Sequence, residues 1–250
     1  MKLGVMSDLH GNTTAFDAVM GDAGSLGVDE WWILGDLIAL GPDPVGILER
    51  LASLPSARVI AGNTERYVLS GDRPFPSLDD VRADAALLPR LVEVAVSFAW
   101  TRGVVTQAGW LPYLRSLPAE LRTTLPDGTR LLGVHASPRS DDGAGIDTRI
   151  PDEALSGLLR GCEADLVIGG HTHDLTDRTV ADARAVNPGS VSNASRSDGC
   201  ATYAVLHIDP DGHRVEHRVV SYDHGAVLRA IEDVDHPASG YLRRFHERFL

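Results

Sequence analysis

Five short segments of this chain each end an apolar run with side chains that bind metal. They are Asp8-Leu9-His10, Gly35-Asp36, Gly62-Asn63, Val134-His135 and Gly170-His171-Thr172-His173. The runs are short and continuous enough to read as β-strands. The fold is therefore constrained to gather the ends of several strands at one site. Together the segments supply two aspartates, one asparagine and four histidines. Oxygen and imidazole donors delivered from several strand ends are what a two-metal hydrolytic site needs.

The intervening sequence says how the strands are connected. Lys2 to Met6 reads as a strand. Asn12 to Leu26 has near-helical apolar spacing and stops at Gly27. Trp31 to Leu34 is the next strand, Pro44 to Leu54 a helix with proline in its first turn, and Ala57 to Ala61 a third strand. This β-α-β-α-β pattern predicts parallel strands with crossover helices.

Residues 66 to about 126 interrupt it. Leu78 to Trp100 and Thr106 to Leu117 look helical, with Pro89 expected to kink or divide the first. The stretch reads as a helical cap inserted near the site in one domain spanning 1–250. Trp100, Trp110 and Tyr113 within it could pack in the core, line the pocket or form a dimer contact, with core packing the default.

Strands return at Arg130 to Val134, Asp165 to Ile168, Arg184 to Val186, Thr202 to Ile208 and His213 to Val220, with a helix at Asp152 to Leu159. The last two strands are joined by the turn Asp209-Pro210-Asp211-Gly212. The tail from Asp223 to Leu250 reads as two short amphipathic helices. Helix-linked and hairpin-linked strands together predict a mixed α/β or α+β sandwich.

Composition narrows the function. At 250 residues the chain needs neither disulfide nor structural metal to fold, so a metal site is functional rather than structural. The net charge of −12 argues against nonspecific binding to nucleic acid or to an anionic membrane. No apolar run approaches the roughly 20 residues needed to cross a bilayer. The two cysteines, Cys162 and Cys200, form no CxxC spacing and read as ordinary core or semi-buried residues. With no signal peptide visible, a cytoplasmic location is expected.

The ordered motifs Asp8-x-His10, Gly35-Asp36-x4-Gly41, Gly62-Asn63, His135 and Gly170-His171-x-His173 resemble the calcineurin-like metallophosphoesterase family. The likeness extends to Asp8-Leu9-His10-Gly11-Asn12, His135-Ala136-Ser137-Pro138 and Val186-Asn187-Pro188-Gly189-Ser190, as in its small bacterial and archaeal members. The resemblance implies a four-layer α/β/β/α sandwich of two mixed sheets flanked by helices. It implies that Asp8, His10 and His173 bind one divalent ion, that Asn63, His135 and His171 bind a second, and that Asp36 bridges both. Manganese, iron, zinc, nickel or cobalt would suit such donors. Two ions about 3.5–4 Å apart can share a bridging hydroxide that attacks phosphorus.

One position departs from the family. Most members carry Gly-Asn-His-Asp or Gly-Asn-His-Glu at the third motif, and this chain has Gly62-Asn63-Thr64-Glu65. In the family that histidine stabilises the transition state or protonates the leaving group. Losing a positioned general acid costs about 10²–10⁴-fold. Thr64 therefore favours substrates with acidic leaving groups, or an acid from elsewhere. Of His207, His213, His217, His224, His236 and His246, all expected at the surface, His224 is the candidate substitute.

Asn12, Arg66 and Arg139 lie just past ligand segments and are candidates to hold phosphate, arginine because its planar fork bonds two oxygens. Asn187 and Ser190 are expected to shape a turn near the last motif. The leading expectation is hydrolysis of a small phosphodiester or nucleotide. Phosphomonoesterase or protein serine/threonine phosphatase activity is the alternative, and a catalytically silent protein-binding scaffold is a third reading.

Overall fold

The computed structural model describes residues 1–250. Strands β1 (Lys2–Met6), β2 (Glu30–Ile33) and β3 (Ala57–Val59) run parallel, linked by helices α1 (Thr13–Gly24) and α2 (Pro44–Ser53). Each helix starts at a side-chain cap: Asn12 accepts from the Ala15 N–H, and Asp43 accepts from the Gly46 N–H with Pro44 in the first turn. Strands β9 (Ala201–Asp209) and β10 (Gly212–Val220) form the expected hairpin, and β9 pairs antiparallel with β1. The first sheet has the order β10-β9-β1-β2-β3.

The second sheet repeats the plan. Strands β5 (Arg130–Val134), β6 (Leu166–Gly169) and β8 (Ala183–Pro188) are parallel, and β4 (Glu120–Thr124) and β7 (Leu175–Val180) close its edges in antiparallel fashion, giving β4-β5-β6-β8-β7. Neither edge strand is in the sequence reading. Of β4 only Leu121 is buried, and β7 buries only Thr176 and Val180. Edge strands hold few apolar residues and so carry a weak alternation signal.

Alternation within each strand builds the layers. Leu3, Val5, Trp32 and Leu34 of the first sheet meet Leu131, Leu166, Ile168 and Val186 of the second in a dry core between the sheets. Met6, Trp31 and Ile33 point the other way, into a larger core under the helices. Leu132, Val134 and Val167 face outward from the second sheet onto α7 (Asp152–Leu159). The result is the expected four-layer sandwich.

The segment 66–126 is helical only in part, because β4 within it belongs to the second sheet. Its helices are α3 (Asn63–Ser70), α4 (Leu78–Ala83), α5 (Leu88–Gln107) and α6 (Leu111–Ser116). Pro89 starts α5 rather than kinking a longer helix, since a proline in the first turn gives up an N–H that has no helical partner anyway. Val94, Phe98 and Val105 of α5 and Leu114 of α6 join the core under the first sheet. Trp110 and Tyr113 pack against that same core. Helices α8 (His224–Asp233) and α9 (Ser239–Arg243) complete the layer, followed by a short 3₁₀ turn at Glu247–Phe249.

Three tail histidines correct the surface expectation: His224, His236 and His246 are buried, at 8%, 3% and 1% exposure. Cys162 is buried and Cys200 half-buried, as expected.

Candidate metal centre

The C-terminal ends of the parallel strands of both sheets converge on one edge, the place where open α/β sheets present ligand-binding groups. Asp8 and His10 follow β1, Asp36 follows β2, and Asn63 follows β3 and opens α3. His135 follows β5, and His171 and His173 follow β6. Glycine is required where these turns cross: a β-carbon on Gly62 would run into Asp36 Oδ1, and one on Gly170 into Ser7 Oγ. Asp8, His10, Asp36, His171 and His173 take left-handed backbone, with φ between 48° and 68°.

All seven candidate ligands meet. Asp8, His10 and His173 offer donor atoms within 4.8 Å of one another. His173 Nε2 lies 3.4 Å from Asp8 Oδ1, and His10 Nε2 lies 3.3 Å from His173 Nε2. On the other side, Asn63 Oδ1 lies 2.8 Å from His135 Nε2 and 3.0 Å from His171 Nδ1. Asp36 sits between, with Oδ1 3.3 Å from His135 Nε2 and Oδ2 3.8 Å from His10 Nε2.

Every imidazole in the cluster is pinned by a backbone carbonyl on its far nitrogen. His10 Nδ1 meets Ala39 O at 3.0 Å, His135 Nδ1 meets Leu34 O at 2.7 Å, and His173 Nδ1 meets Asn193 O at 2.8 Å. His171 is turned over, with Nε2 on Gly143 O at 3.0 Å. A carbonyl only accepts, so the pinned nitrogen carries the proton and the inward nitrogen presents a lone pair. Outer partners of this kind fix the orientation and tautomer of metal-binding histidine.

The inward atoms are thus lone pairs facing lone pairs and carboxylates. Asp8 Oδ1 is buried without any hydrogen-bond partner. Only cations satisfy such an array, so these residues fit divalent ions. Protons respond to the same field. Burial pulls His173 down, but the Asp8 carboxylate beside it raises it to about 9. Burial also opposes His135, yet Asp36 and Asp8 hold it above the usual imidazole range. Asp8, despite burial, is driven far below the carboxylate range by His173. Binding a cation would displace these protons.

Glu65, which sequence reasoning passed over, ties the turns together. Its carboxylate accepts from the N–H groups of Asp36, Leu37 and Gly62 at 2.9, 2.8 and 2.8 Å. Burial, then the charge of Asp36, pushes it up to about 7. Its position three residues after Gly62, as a carboxylate in the first turn of a helix, is the one signal that could have found it. Thr64 donates both N–H and hydroxyl to Asp36 Oδ1, each at 2.9 Å. Its side chain therefore orients the Asp36 carboxylate.

The proposed phosphate binders fare differently. Arg66 is engaged by Asp141, Asp142 and Asp72. Arg139 lines the cleft beside His135, but its guanidinium donates to the carbonyls of Gly157, Leu158 and Arg160 at the end of α7. Asn12 caps α1 and donates to Ser192 Oγ. Asn187 Nδ2 does bind the last motif, donating to Gly170 O, Thr172 Oγ1 and Ile146 O. His224 faces His246 and Gly199 O rather than the ligands, so it supplies no acid. Two clefts flank the cluster, about 390 Å³ beside His135 and about 450 Å³ beside His171.

Known proteins resemble this chain. The profile of the calcineurin-like phosphoesterase superfamily domain matches residues 1–211. The uncharacterized protein MJ0912 of Methanocaldococcus jannaschii is 27% identical over 171 residues, which is 68% of this chain. That match spans 62% of the relative's own length, less than two thirds. A metallophosphoesterase crystal structure from Sphaerobacter thermophilus superposes with a TM-score of 0.75 at 24% identity, covering 100% of this chain and 99% of the other. The hypothetical protein PH1004 of Pyrococcus horikoshii OT3 gives 0.78 at 20% identity, covering 97% and 96%. Both share the fold.

Proposed function

The chain belongs to the calcineurin-like phosphoesterase superfamily, and from that premise we propose that it hydrolyses small phosphodiesters or nucleotide-type esters with two divalent cations. Membership makes it a metal-dependent hydrolase of phosphoester bonds. No helix is long and apolar enough to cross a membrane. We read 1–250 as one phosphoesterase domain.

The observation that carries the proposal is the set of four imidazoles, each locked by a carbonyl and aimed at Asp8, Asp36 and Asn63. Asp8, His10 and His173 would hold one ion, Asn63, His135 and His171 the other, and Asp36 both. Bound there, the ions would polarise phosphoryl oxygens and make water a nucleophile at neutral pH. The chain itself contributes orientation. Thr64 fixes one oxygen of Asp36, Glu65 fixes the turns at Gly35 and Gly62, and the carbonyls fix the rings.

Two features bear on the substrate, the first on its leaving group and the second on its charge. Thr64 is committed to Asp36, so it donates no proton to a leaving group, and esters with acidic leaving groups suffer least. The site's rim is acidic: Asp141, Asp142 and Asp72 neutralise Arg66, while Asp147 and Asp174 neutralise Arg149. A singly charged diester meets less repulsion there than a doubly charged monoester.

The test compares bis(p-nitrophenyl) phosphate with p-nitrophenyl phosphate on metal-stripped protein, with manganese, iron, zinc, nickel or cobalt added in turn. The expected result is metal-dependent turnover, faster on the diester. No turnover with any of the ions would overturn the reading, and faster turnover of the monoester would overturn the substrate class.

A further inference from the structure

The carbonyl that pins His173 belongs to the loop after β8, and the same loop is gripped by the chain's last turn. Asn193 O accepts from the His173 ring at 2.8 Å. Two residues on, Ser195 Oγ donates to His173 O at 2.9 Å. The loop therefore holds this ligand by both ring and backbone. Between those contacts lies Ala194, whose carbonyl accepts from the Arg248 guanidinium at 2.8 Å. The loop's far end is fixed by the same tail: His224 Nε2 meets Gly199 O at 3.2 Å. Gly199 packs so closely that a β-carbon there would lie 2.6 Å from Phe249. Arg248 is itself held over the Phe249 ring, 4.6 Å from its centroid.

We propose that Arg248 is a positioning residue for the metal centre, acting through the Ala194 peptide to hold Asn193 O against His173. The proposal rests on the reading of His173 as a ligand of one of the two ions. Asn193 is buried but takes left-handed backbone, with φ 58°, a conformation its neighbours must enforce. The guanidinium supplies a charge-assisted hydrogen bond to the adjacent peptide at that point. Deleting it frees the peptide to rotate, and the ring loses its fixed acceptor. Loss of a direct outer partner costs roughly 10–100-fold in metal affinity. Arg248 is one bond further out, so a loss of about threefold to tenfold is expected for the ion that His173 serves.

Arg248 is exposed, so Arg248→Ala is expected to fold. Manganese titrations by calorimetry on metal-stripped protein would compare the native chain, Arg248→Ala, Arg248→Lys and His173→Ala. Hydrogen exchange at residues 192–196 of the metal-free forms gives a readout independent of any ion. The proposal expects Arg248→Ala to weaken one ion severalfold and spare the other. It also expects faster exchange at 192–196, with Arg248→Lys close to native in both. Unchanged affinity for both ions in Arg248→Ala overturns it. Equal weakening of both ions with a lowered melting temperature also overturns it, since that marks a general loss of structure. A native isotherm in His173→Ala overturns the ligand reading itself, whatever Arg248→Ala does.

Discussion

Two clusters of histidines, one half-buried to buried and one fully buried, differ in the charges around them. His10, His135, His171 and His173 stand among Asp8, Asp36 and Asn63. His224, His236 and His246 stand among aromatic rings: His224 stacks near Tyr222 and Phe249, and His236 lies 4.3 Å from Trp100. In the first group carboxylates overcome burial at His173 and His135, drawing positive charge in. In the second nothing does. Burial depresses His236 to about 4, and burial with its neighbours His224 and Arg248 depresses His246 to about 4. Burial of an imidazole thus does not by itself set its charge; the companions decide.

The largest expected effect falls on the carboxylate that separates the groups. Asp36→Asn removes the charge between the two trios while keeping shape. Several kcal/mol of transition-state stabilisation should go with it, about 10³-fold or more in kcat/KM on a diester. A variant within tenfold of native would mean that the aspartate is not what distinguishes the first group.

pH should expose the contrast as two slopes of opposite sign. His246 and His236 are depressed from 6.5 to about 4, so the unfolded chain binds more protons between those values. Their contribution is complete above pH 6.5 and lost as pH falls toward 4. His173 is raised from 6.5 to about 9, so in metal-free protein its contribution is complete below 6.5 and lost as pH rises toward 9. Each group can contribute up to about 1.4 kcal/mol per pH unit. Urea unfolding from pH 4 to 9, with and without manganese, checks both limbs. Manganese should remove the alkaline loss only, because the cation replaces the proton. On the acid side the groups facing His246 are His224 and Arg248, with Asp223 close to His224. His246→Phe should therefore flatten that limb by about one proton's worth. An unaltered acid slope would place the transition elsewhere.

The smallest effect is expected outside both groups. Arg139→Ala should change kcat/KM by less than about twofold, since its guanidinium caps α7. A tenfold loss would return Arg139 to the phosphate site.

The clustering of Asp8, His10, Asp36, Asn63, His135, His171 and His173 was legible in the sequence because each follows a strand and the motifs keep a fixed order. The inter-sheet core was legible for the same reason, through Leu3, Val5, Trp32 and Leu34. What was hidden is tertiary. Glu65 works through three N–H groups from two separate turns, and its place three residues after Gly62 points to the Gly62 N–H but not to those of Asp36 and Leu37. Arg66 and Arg139 looked like phosphate binders because sequence shows their place but not their carboxylate and carbonyl partners. The tail histidines looked solvated because helical periodicity does not reveal that α8, α9 and the last turn fold back over the loop after β8. Edge strands β4 and β7 were missed because water covers much of them.

The left-handed backbone at Asp8, His10, Asp36, His171 and His173 carries a consequence for how this protein could change. Such a conformation costs a residue with a side chain about 1–2 kcal/mol, and glycine almost nothing. Glycine at one of these positions would therefore relieve backbone strain, but at His10 it would also give up the bond to Ala39 O and leave a cavity. An engineer seeking an inert scaffold would begin at the half-buried His171, where glycine relieves the strain and leaves the smaller cavity.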